Sequence, residues 1–198
     1  EISIIRSIPN MSMVVPCDFW ETYKATVAAA KYDGPVYIRF GREDVPVVTG
    51  KDTPFTLGKG EVFAEGTDLS IIACGVMVYE ALRAREALAA QGISARVVDL
   101  HTPKPLDRAL ITACARETGA IVTAEEHQVH GGLGGAVAEV VVQTHAVPME
   151  LVAVHDRFGQ SGKPAELMDA FGLRAKDIAA AAERVVQRKR GRAVTPSG

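Results

Sequence analysis

The chain alternates short runs of β-branched residues with longer stretches in which apolar residues recur every three or four positions. The predicted strands cover 69–74, 95–100, 120–124 and 149–154, and the predicted helices cover 78–88, 107–117, 135–144, 164–171 and 176–187. Because strands that alternate with helices are typical of parallel sheets, this part of the chain predicts an α/β fold. Its length suits four or five strands with helices on both faces.

The first forty residues predict a smaller strand–helix–strand unit. Strands are predicted at Ile2–Ile5 and Val36–Phe40, and a helix is predicted over Asp18–Lys31 between them. Asp18 followed three residues later by Glu21 is typical of a capping box, which places the start of the helix there. The apolar positions of this helix follow helical spacing and are Phe19, Tyr23, Val27 and Ala30.

Glycine and proline residues interrupt the chain every few positions between residues 43 and 68. No helical period persists there, so the segment predicts an extended linker with room for a small hairpin. The predicted organisation is a small first unit over 1–48, a linker over 49–68, a main domain over 69–190 and a tail over 191–198.

The composition excludes several classes of protein. The 198 residues are 47% hydrophobic and 23% charged, which is typical of a folded globular protein rather than a disordered chain. With 22 basic and 24 acidic residues, the chain has no general attraction to nucleic acid or anionic lipid. No apolar run reaches the ~18 residues of a membrane span, and no secretory signal is recognisable. We therefore expect a cytoplasmic protein without nucleic-acid or membrane partners, and a fragment, because the initiator methionine is missing.

The cysteines and two of the histidines do not form an evident metal site. Cys17, Cys74 and Cys114 are odd in number and far apart, which predicts free, buried thiols in a reducing compartment. His127 and His130 are three residues apart in a predicted loop, where they do not converge on one ion.

A glycine-rich segment, Glu125–Gly135, follows a predicted strand and opens a predicted helix. Backbone amides at such a turn can bind phosphate, and the helix dipole favours the anion. The dinucleotide-binding fingerprint fails, however, because Val137 stands where a third small residue is required. Two interpretations remain open: a phosphate-binding turn in an assembly or regulatory module that works alone, and a structural turn that packs against a neighbouring subunit.

Two further features are candidates for binding an anion. Arg39 and Arg42 lie at the carboxyl end of the predicted strand 36–40, a position suited to phosphate or carboxylate. Spacing alone does not choose between them. The polar loop Asp156–Gly162 follows the last predicted strand and is either an anion-binding loop or a surface loop.

Several segments resemble transketolases, in the same order and with the same spacing. Residues 4–11, 15–18 and 33–39 resemble the end of the transketolase pyrimidine-binding domain. The resemblance to the transketolase C-terminal domain is carried by Lys104-Pro105-Leu106-Asp107, Glu125-Glu126-His127, Gly131-Gly132-Leu133-Gly134 and Asp156-Arg157-Phe158-Gly159-Gln160-Ser161-Gly162. It extends over nearly all of residues 2–186 and is greatest to the C-terminal subunit of split, two-chain transketolases.

This resemblance implies a fold and a parent activity. The fold is a three-layer α/β/α domain with a mostly parallel five-stranded sheet, one strand antiparallel, preceded by a remnant of the pyrimidine-binding domain. The parent enzyme transfers a two-carbon ketol unit between sugar phosphates with thiamine diphosphate and Mg²⁺, which lie between two subunits. The deoxyxylulose-phosphate synthases and the β subunits of 2-oxoacid dehydrogenases share the architecture and remain alternatives.

The resemblance also implies which functional residues belong to this chain. The family's catalytic, cofactor-binding and metal-binding residues precede the segment that Ile2–Met11 resembles or lie in another domain, so none is expected here. Arg42 aligns with the arginine that binds the sugar phosphate. A structural or interfacial turn is expected at His127, Gly131, Gly132 and Gly134.

The expected partners are an N-terminal transketolase part or subunit and a second copy of the C-terminal domain. We expect the 198-residue chain alone to be inactive. Residues 1–42 are expected to be partly disordered or to use a partner's surface, because a small remnant leaves strand edges unpaired. Residues 69–190 are expected to fold autonomously.

Overall fold

The computed structural model describes residues 1–192, without the side chain of Arg192. The helices are α1 (Ile2–Ser7), α2 (Phe19–Lys31), α3 (Met77–Ala89), α4 (Arg108–Thr118), α5 (Leu133–Thr144), α6 (Pro164–Ala170) and α7 (Ala175–Arg192). The strands are β1 (Ser12–Val14), β2 (Val36–Ile38), β3 (Glu61–Ala64), β4 (Leu69–Ala73), β5 (Ala95–Asp99), β6 (Ile121–Gln128) and β7 (Met149–Val154). The tail predicted at 191–198 begins inside α7, and 193–198 lie outside the described residues.

The main sheet has five strands in the order β3-β5-β4-β6-β7. Strands β5, β4, β6 and β7 are parallel to one another, and β3 is antiparallel to β5. The central strand β4 is buried along its whole length, and its side chains alternate between the two faces. The predicted α/β fold with a mostly parallel five-stranded sheet is therefore confirmed.

Helices cover both faces of this sheet. On one face α3 and α7 enclose a core that includes Ile71, Val97 and Val122, and on the other α4 and α5 pack over Ile72 and Val98. The ends of α4 follow from the sequence: Asp107 caps its first turn, and Gly119, with φ +66°, ends it.

Strand β3 corrects the predicted organisation, because it lies within the segment 49–68 that was expected to be a linker. Its register pairs Glu61 with Asp99, so the sheet begins before residue 69. The glycine at position 66 has a packing reason: a Cβ there would come closer than 3.0 Å to the backbone of Ala95 and Arg96. Glycines that predicted a loop thus permit close approach of the chain to β5.

The strand predicted at Ile2–Ile5 is wrong, because these residues begin helix α1. A short apolar run does not distinguish helix from strand, and packing decides between them. Ile2 is buried and Ile5 half-buried, whereas Ile4 is exposed. Burial at positions three apart, rather than two, is the pattern of a helix.

Residues 12–15 run across the carboxyl edge of the main sheet. The amide of Met13 donates to the carbonyl of Lys104 and that of Val15 to the carbonyl of His101, both at 2.7 Å. Strand β1, which the sequence pattern did not predict, pairs in parallel with β2. The predicted strand Val36–Phe40 is shorter than expected, since β2 ends at Ile38.

The predicted start of α2 is confirmed. The amide of Glu21 donates to Asp18 Oδ1 at 3.0 Å, while the Glu21 carboxylate accepts from the amide of Cys17 at 2.7 Å. Glu21 and Ala25 face the interior of the molecule. The apolar stripe of this helix faces outward, and Phe19, Tyr23 and Val27 are exposed.

Candidate functional site

The glycine-rich turn carries its own anion. The buried carboxylate of Glu125 accepts from the amides of Leu133 at 2.7 Å and Gly134 at 2.9 Å, which are the first amides of α5. Burial raises the pKa of Glu125, although these two hydrogen bonds oppose the shift. A Cβ at position 132 would come closer than 3.0 Å to this carboxylate. The position that a phosphate would occupy at the end of α5 is thus filled by a side chain of the same chain.

Two other helices begin in the same way. Asp18 caps α2, and Asp107 caps α4 by accepting from the amide of Leu110 at 3.1 Å. The residues present around these helix ends therefore do not form a cradle for the diphosphate of a nucleotide-like cofactor. Within residues 1–192, neither His127 nor His130 belongs to a cluster of three potential metal ligands.

The turn is fixed from the outside by α1. Arg6 donates to the carbonyl of Gly131 at 2.7 Å and forms two hydrogen bonds with the carboxylate of Glu139 at 2.9 and 3.0 Å. Gly131 has φ +72°, a conformation that favours glycine. A Cβ at Gly134 would come closer than 3.0 Å to the side chains of Thr123 and Leu151. In this chain the turn therefore packs between α1, α5 and β7, and its role at a subunit interface stays a prediction.

A cavity of about 630 Å³ opens at the carboxyl ends of β6 and β7, where open α/β sheets commonly bind ligands. Its walls come from the loop after β2, the start of α3, the end of β6, and the segment from β7 to the start of α7. Side chains that line it include Arg42, His127, Gln128, Arg157, Phe171 and Arg174. Sequence reasoning missed this cavity, because its walls come from four separate segments between residues 41 and 174.

His127 lies in the wall of this cavity and is half-buried. Its Nδ1 lies 2.8 Å from the carbonyl oxygen of Gln128. Burial lowers the pKa of His127, and the hydrogen bond to Gln128 opposes that shift. A neutral imidazole held in this way is suited to positioning rather than to binding an anion.

The two candidate arginines differ in what they contact. Arg39 donates to the carboxylate of Glu1 at 3.2 Å and to the carbonyl of Glu126 at 3.0 Å, and its side chain is only 23% exposed. Arg42 is 94% exposed, and its one ion pair, with the neighbouring Glu43, is 3.5 Å long. Because β2 ends at Ile38, both arginines lie in the loop that follows it. The guanidinium of Arg42, at the cavity wall, is therefore the one available to an anion.

The loop Asp156–Gly162 is exposed throughout. Asp156 has φ +46°, which orients the chain as it leaves β7, and Phe158 is fully exposed. Arg157 stacks its guanidinium over the ring of Phe171, with 5.2 Å to the centroid. Of the two sequence interpretations, the geometry favours a surface loop, although Arg157 also borders the cavity.

The architecture and these motifs match a known family. Residues 58–178 match the family described as "Transketolase, C-terminal domain". The chain belongs to this family. Its matched region begins just before β3, which agrees with the corrected start of the sheet.

Relatives match nearly the whole chain rather than the main domain alone. The 6-deoxy-6-sulfo-D-fructose transketolase subunit SqwH of Clostridium sp. (strain MSTE9) is 44% identical over 96% of this chain and 59% of its own length. A solved structure described as "Split gene transketolase, inactive beta4 tetramer" is 46% identical, with a TM-score of 0.93, and covers 96% of this chain and 62% of its own. The chain thus spans about three fifths of the length of these relatives and resembles subunits of split transketolases.

A second group of relatives has another activity in its name. The 1-deoxy-D-xylulose-5-phosphate synthase of Syntrophotalea carbinolica (strain DSM 2380 / NBRC 103641 / GraBd1) is 37% identical over 96% of this chain and 31% of its own length.

The described helices include none that is both long and apolar enough to cross a membrane.

Proposed function

We propose that this chain is the C-terminal part of a thiamine-diphosphate-dependent transketolase, in which Arg42 binds the phosphate group of a sugar phosphate. The parent enzyme transfers a two-carbon ketol unit between phosphorylated sugars. The observation that carries the proposal is the exposed guanidinium of Arg42 at the cavity wall. The names of the split-transketolase relatives support the parent activity.

The proposed partners follow from the groups that the described residues do not offer to a cofactor. The described helix ends are capped by the chain's own carboxylates, which leaves no fitting diphosphate cradle at α2, α4 or α5. The cofactor and its Mg²⁺ are therefore assigned to an N-terminal transketolase part or subunit. A second copy of the C-terminal domain completes the proposed assembly. This assembly is proposed to be cytoplasmic.

Arg42 suits a phosphate for electrostatic and geometric reasons. A guanidinium donates two parallel hydrogen bonds to phosphate oxygens, and these charge-assisted bonds are stronger than neutral ones. Arg39 does not have this freedom, since its donors already bind the carboxylate of Glu1 and the carbonyl of Glu126. Glu43 is a weak competitor, because its ion pair with Arg42 is long and exposed.

Calorimetry tests whether the cofactor binds to the N-terminal partner rather than to this chain. Titration of the 198-residue chain with thiamine diphosphate and Mg²⁺ is expected to give no binding heat, and ketol transfer is expected only after an N-terminal partner subunit is added. Micromolar binding of the cofactor by this chain alone would contradict the proposal. So would ketol transfer without a partner.

Substitution of Arg42→Ala in the assembled enzyme tests the phosphate contact. Loss of a charge-assisted pair costs about 1.5–3 kcal/mol, so KM for a sugar phosphate should rise about 10- to 100-fold with kcat nearly unchanged. An unphosphorylated ketose should be affected much less. Lys51→Ala, which removes an exposed charge on the next loop, is the matched control. A large rise in KM for Arg39→Ala, with none for Arg42→Ala, would contradict the proposal, because it would show that Arg39 binds the phosphate.

The synthase-type relative supports a second candidate activity. The same assembled enzyme can be assayed for formation of 1-deoxy-D-xylulose 5-phosphate. Product formation faster than ketol transfer would favour the synthase over the transketolase. The stand-alone anion-binding module is not favoured, because Glu125 already occupies the end of α5.

A further inference from the structure

Two buried carboxyl groups meet where residues 1–48 contact the main sheet. Glu21 lies in the first turn of α2 and is 2% exposed, and Asp99 is the last residue of β5 and is 0% exposed. A carboxylate oxygen of each lies within 4.8 Å of the other and of Cys17 Sγ. One carboxyl group therefore comes from each of the two parts of the molecule.

The surroundings offer little to compensate two negative charges. Glu21 accepts one hydrogen bond, from the amide of Cys17, and neither oxygen of Asp99 has a partner among the described residues. No lysine or arginine of residues 1–191 forms an ion pair with either group. The titratable groups that face the pair from neighbouring segments are Cys17, Asp18, Glu61, Cys74 and His101.

We propose that Glu21 and Asp99 share one proton in the folded chain, so that a carboxylic acid–carboxylate hydrogen bond joins α2 to the carboxyl end of β5. Two ionised carboxylates this close in a buried site repel each other and lose their hydration. One retained proton removes one charge and supplies a donor. It also gives a partner to an otherwise orphaned oxygen of Asp99.

Most of the surroundings favour this arrangement. Burial, and next the charge of Glu21, raise the pKa of Asp99 well above its usual range, although hydrogen bonding by the Cys17 thiol acts in the opposite direction. Burial raises the pKa of the Cys17 thiol, so this thiol stays neutral and adds no further negative charge. Burial lowers the pKa of His101, although the charge of Glu21 opposes this shift, so burial disfavours the charged imidazole that would compensate the pair.

A shared proton makes the contact sensitive to alkali. In the unfolded chain both carboxyl groups are ionised above about pH 4, whereas the folded chain keeps one proton more. The unfolding constant therefore rises by up to tenfold per pH unit as pH increases, until the folded pair also ionises. Above that pH the two carboxylates repel each other, and α2 loses its hold on the sheet.

The test compares the full chain with its Asp99→Asn variant between pH 5.5 and 9. The amide of asparagine donates where the shared proton was, without a titration. Urea unfolding is followed by the fluorescence of Trp20, the only tryptophan and the residue before Glu21, and by circular dichroism of the whole chain. We expect the unfolding constant of the unsubstituted chain to rise relative to the variant by up to tenfold per pH unit. Asp52→Asn, at an exposed carboxylate, should leave the pH dependence unchanged.

Three results would overturn the proposal. The first is an identical pH dependence for the unsubstituted chain and Asp99→Asn. The second is a stoichiometric divalent metal in the purified chain that is lost in the variant, because a bound cation would then compensate the carboxylates. If Asp99→Asn does not fold, Glu21→Gln gives the same comparison, since its carbonyl oxygen still accepts from Cys17. A carbon-13 titration of the unsubstituted chain that shows both carboxyl groups ionised at pH 6 would also refute the shared proton.

Discussion

Residues 1–48 and residues 61–192 differ in how they treat their apolar surface. Eight of the eleven large, exposed hydrophobic residues among those described lie in the first part: Ile4, Ile8, Phe19, Tyr23, Val27, Tyr32, Phe40 and Val47. The second part has the remaining three, on separate elements: Val62, Val142 and Phe158. Scattered apolar residues are normal, but a concentration of them marks a surface that contacts something else. Among the described residues, the first part therefore exposes most of the large apolar side chains, whereas the second part buries nearly all of its own.

The inner face of the first part is as well packed as the main domain. Ile2, Met13 and Val15 are fully or nearly buried in the same core as α4 and α5. Lys104 donates to the carbonyls of Arg6 and Ile8 at 3.0 and 2.5 Å. The contrast therefore concerns the outer face alone, and use of a partner's surface by residues 1–42 stays a prediction. Their partial disorder likewise stays a prediction.

The largest effect on stability is expected from a substitution within residues 61–192. Gly66→Ala places a Cβ closer than 3.0 Å to the backbone of Ala95 and Arg96, which side-chain rotation cannot relieve. We expect a loss of about 3 kcal/mol in the free energy of unfolding, measured by urea titration. Both circular dichroism and Trp20 fluorescence should report it, because residues 1–48 rest on this sheet.

Gly50→Ala is the control for this change, since the nearest atom to its Cβ would be Thr53 Oγ1 at 3.9 Å. Equal stability of the two alanine variants would show that β3 is a dispensable part of the linker. It would also restore the boundary first placed at residue 69 for the autonomously folding domain.

An intermediate effect is expected at Asp18, which fastens α2 to the start of the linker. Its carboxylate accepts from the amides of Val48 at 2.7 Å and Thr49 at 2.6 Å, and from the Thr49 hydroxyl at 2.6 Å. Asp18→Asn puts an N–H donor against these donors and should cost about 2 kcal/mol at pH 7. Trp20 fluorescence should change at lower urea than circular dichroism if the two parts separate stepwise.

The pH dependence of this effect has a defined sign. Burial acts to raise the pKa of Asp18, but hydrogen bonds from Thr49, Glu21 and Val48 outweigh it and lower the pKa overall. The stabilisation is therefore complete above about pH 4 and is lost as pH falls through the lowered pKa. The difference between the unsubstituted chain and Asp18→Asn should shrink in acid. Asp33→Asn, at an exposed aspartate of the same part, should show neither effect.

The smallest effect on stability is expected on the outer face of α2. Substitution of Phe19, Tyr23 and Val27 by serine should change the free energy of unfolding by about 0.5 kcal/mol or less per residue, because all three are exposed. The same triple variant should reduce self-association in sedimentation velocity if this stripe is the covered surface. Val142→Ser, on the exposed side of α5, should not reduce it. A loss of several kcal/mol in the triple variant would place the stripe in the chain's own core.

Local rules predicted much of the main domain. The alternation of strands and helices, with Asp107 before α4 and Gly119 after it, places most elements within a few residues of their observed bounds. Strand β3 escaped prediction because its flanking glycines are punctuation along the chain but close-approach positions in space. Helix α1 was not predicted because a short run of isoleucines is compatible with a helix or a strand. Burial of Ile2 in the core decides between the two.

The candidate site was less accessible to sequence reasoning. Arg42 was selected by resemblance to transketolases, and only the contacts of Arg39 distinguish the two arginines physically. The cavity beside Arg42 is formed by segments that are distant along the chain. The Glu21–Asp99 pair likewise joins two distant segments. No local period carries information about such pairs.

The sequence by itself determined the α/β class, the order of most elements and the membership of the transketolase family. These depend on apolar periodicity, caps and motifs, which are properties of neighbouring residues. The tertiary structure alone decided that Glu125 fills the phosphate position of the glycine-rich turn and that the stripe of α2 faces outward. Both depend on which surfaces meet after the chain folds, and burial changes the energy of a charge or an apolar side chain far more than its neighbours in sequence do.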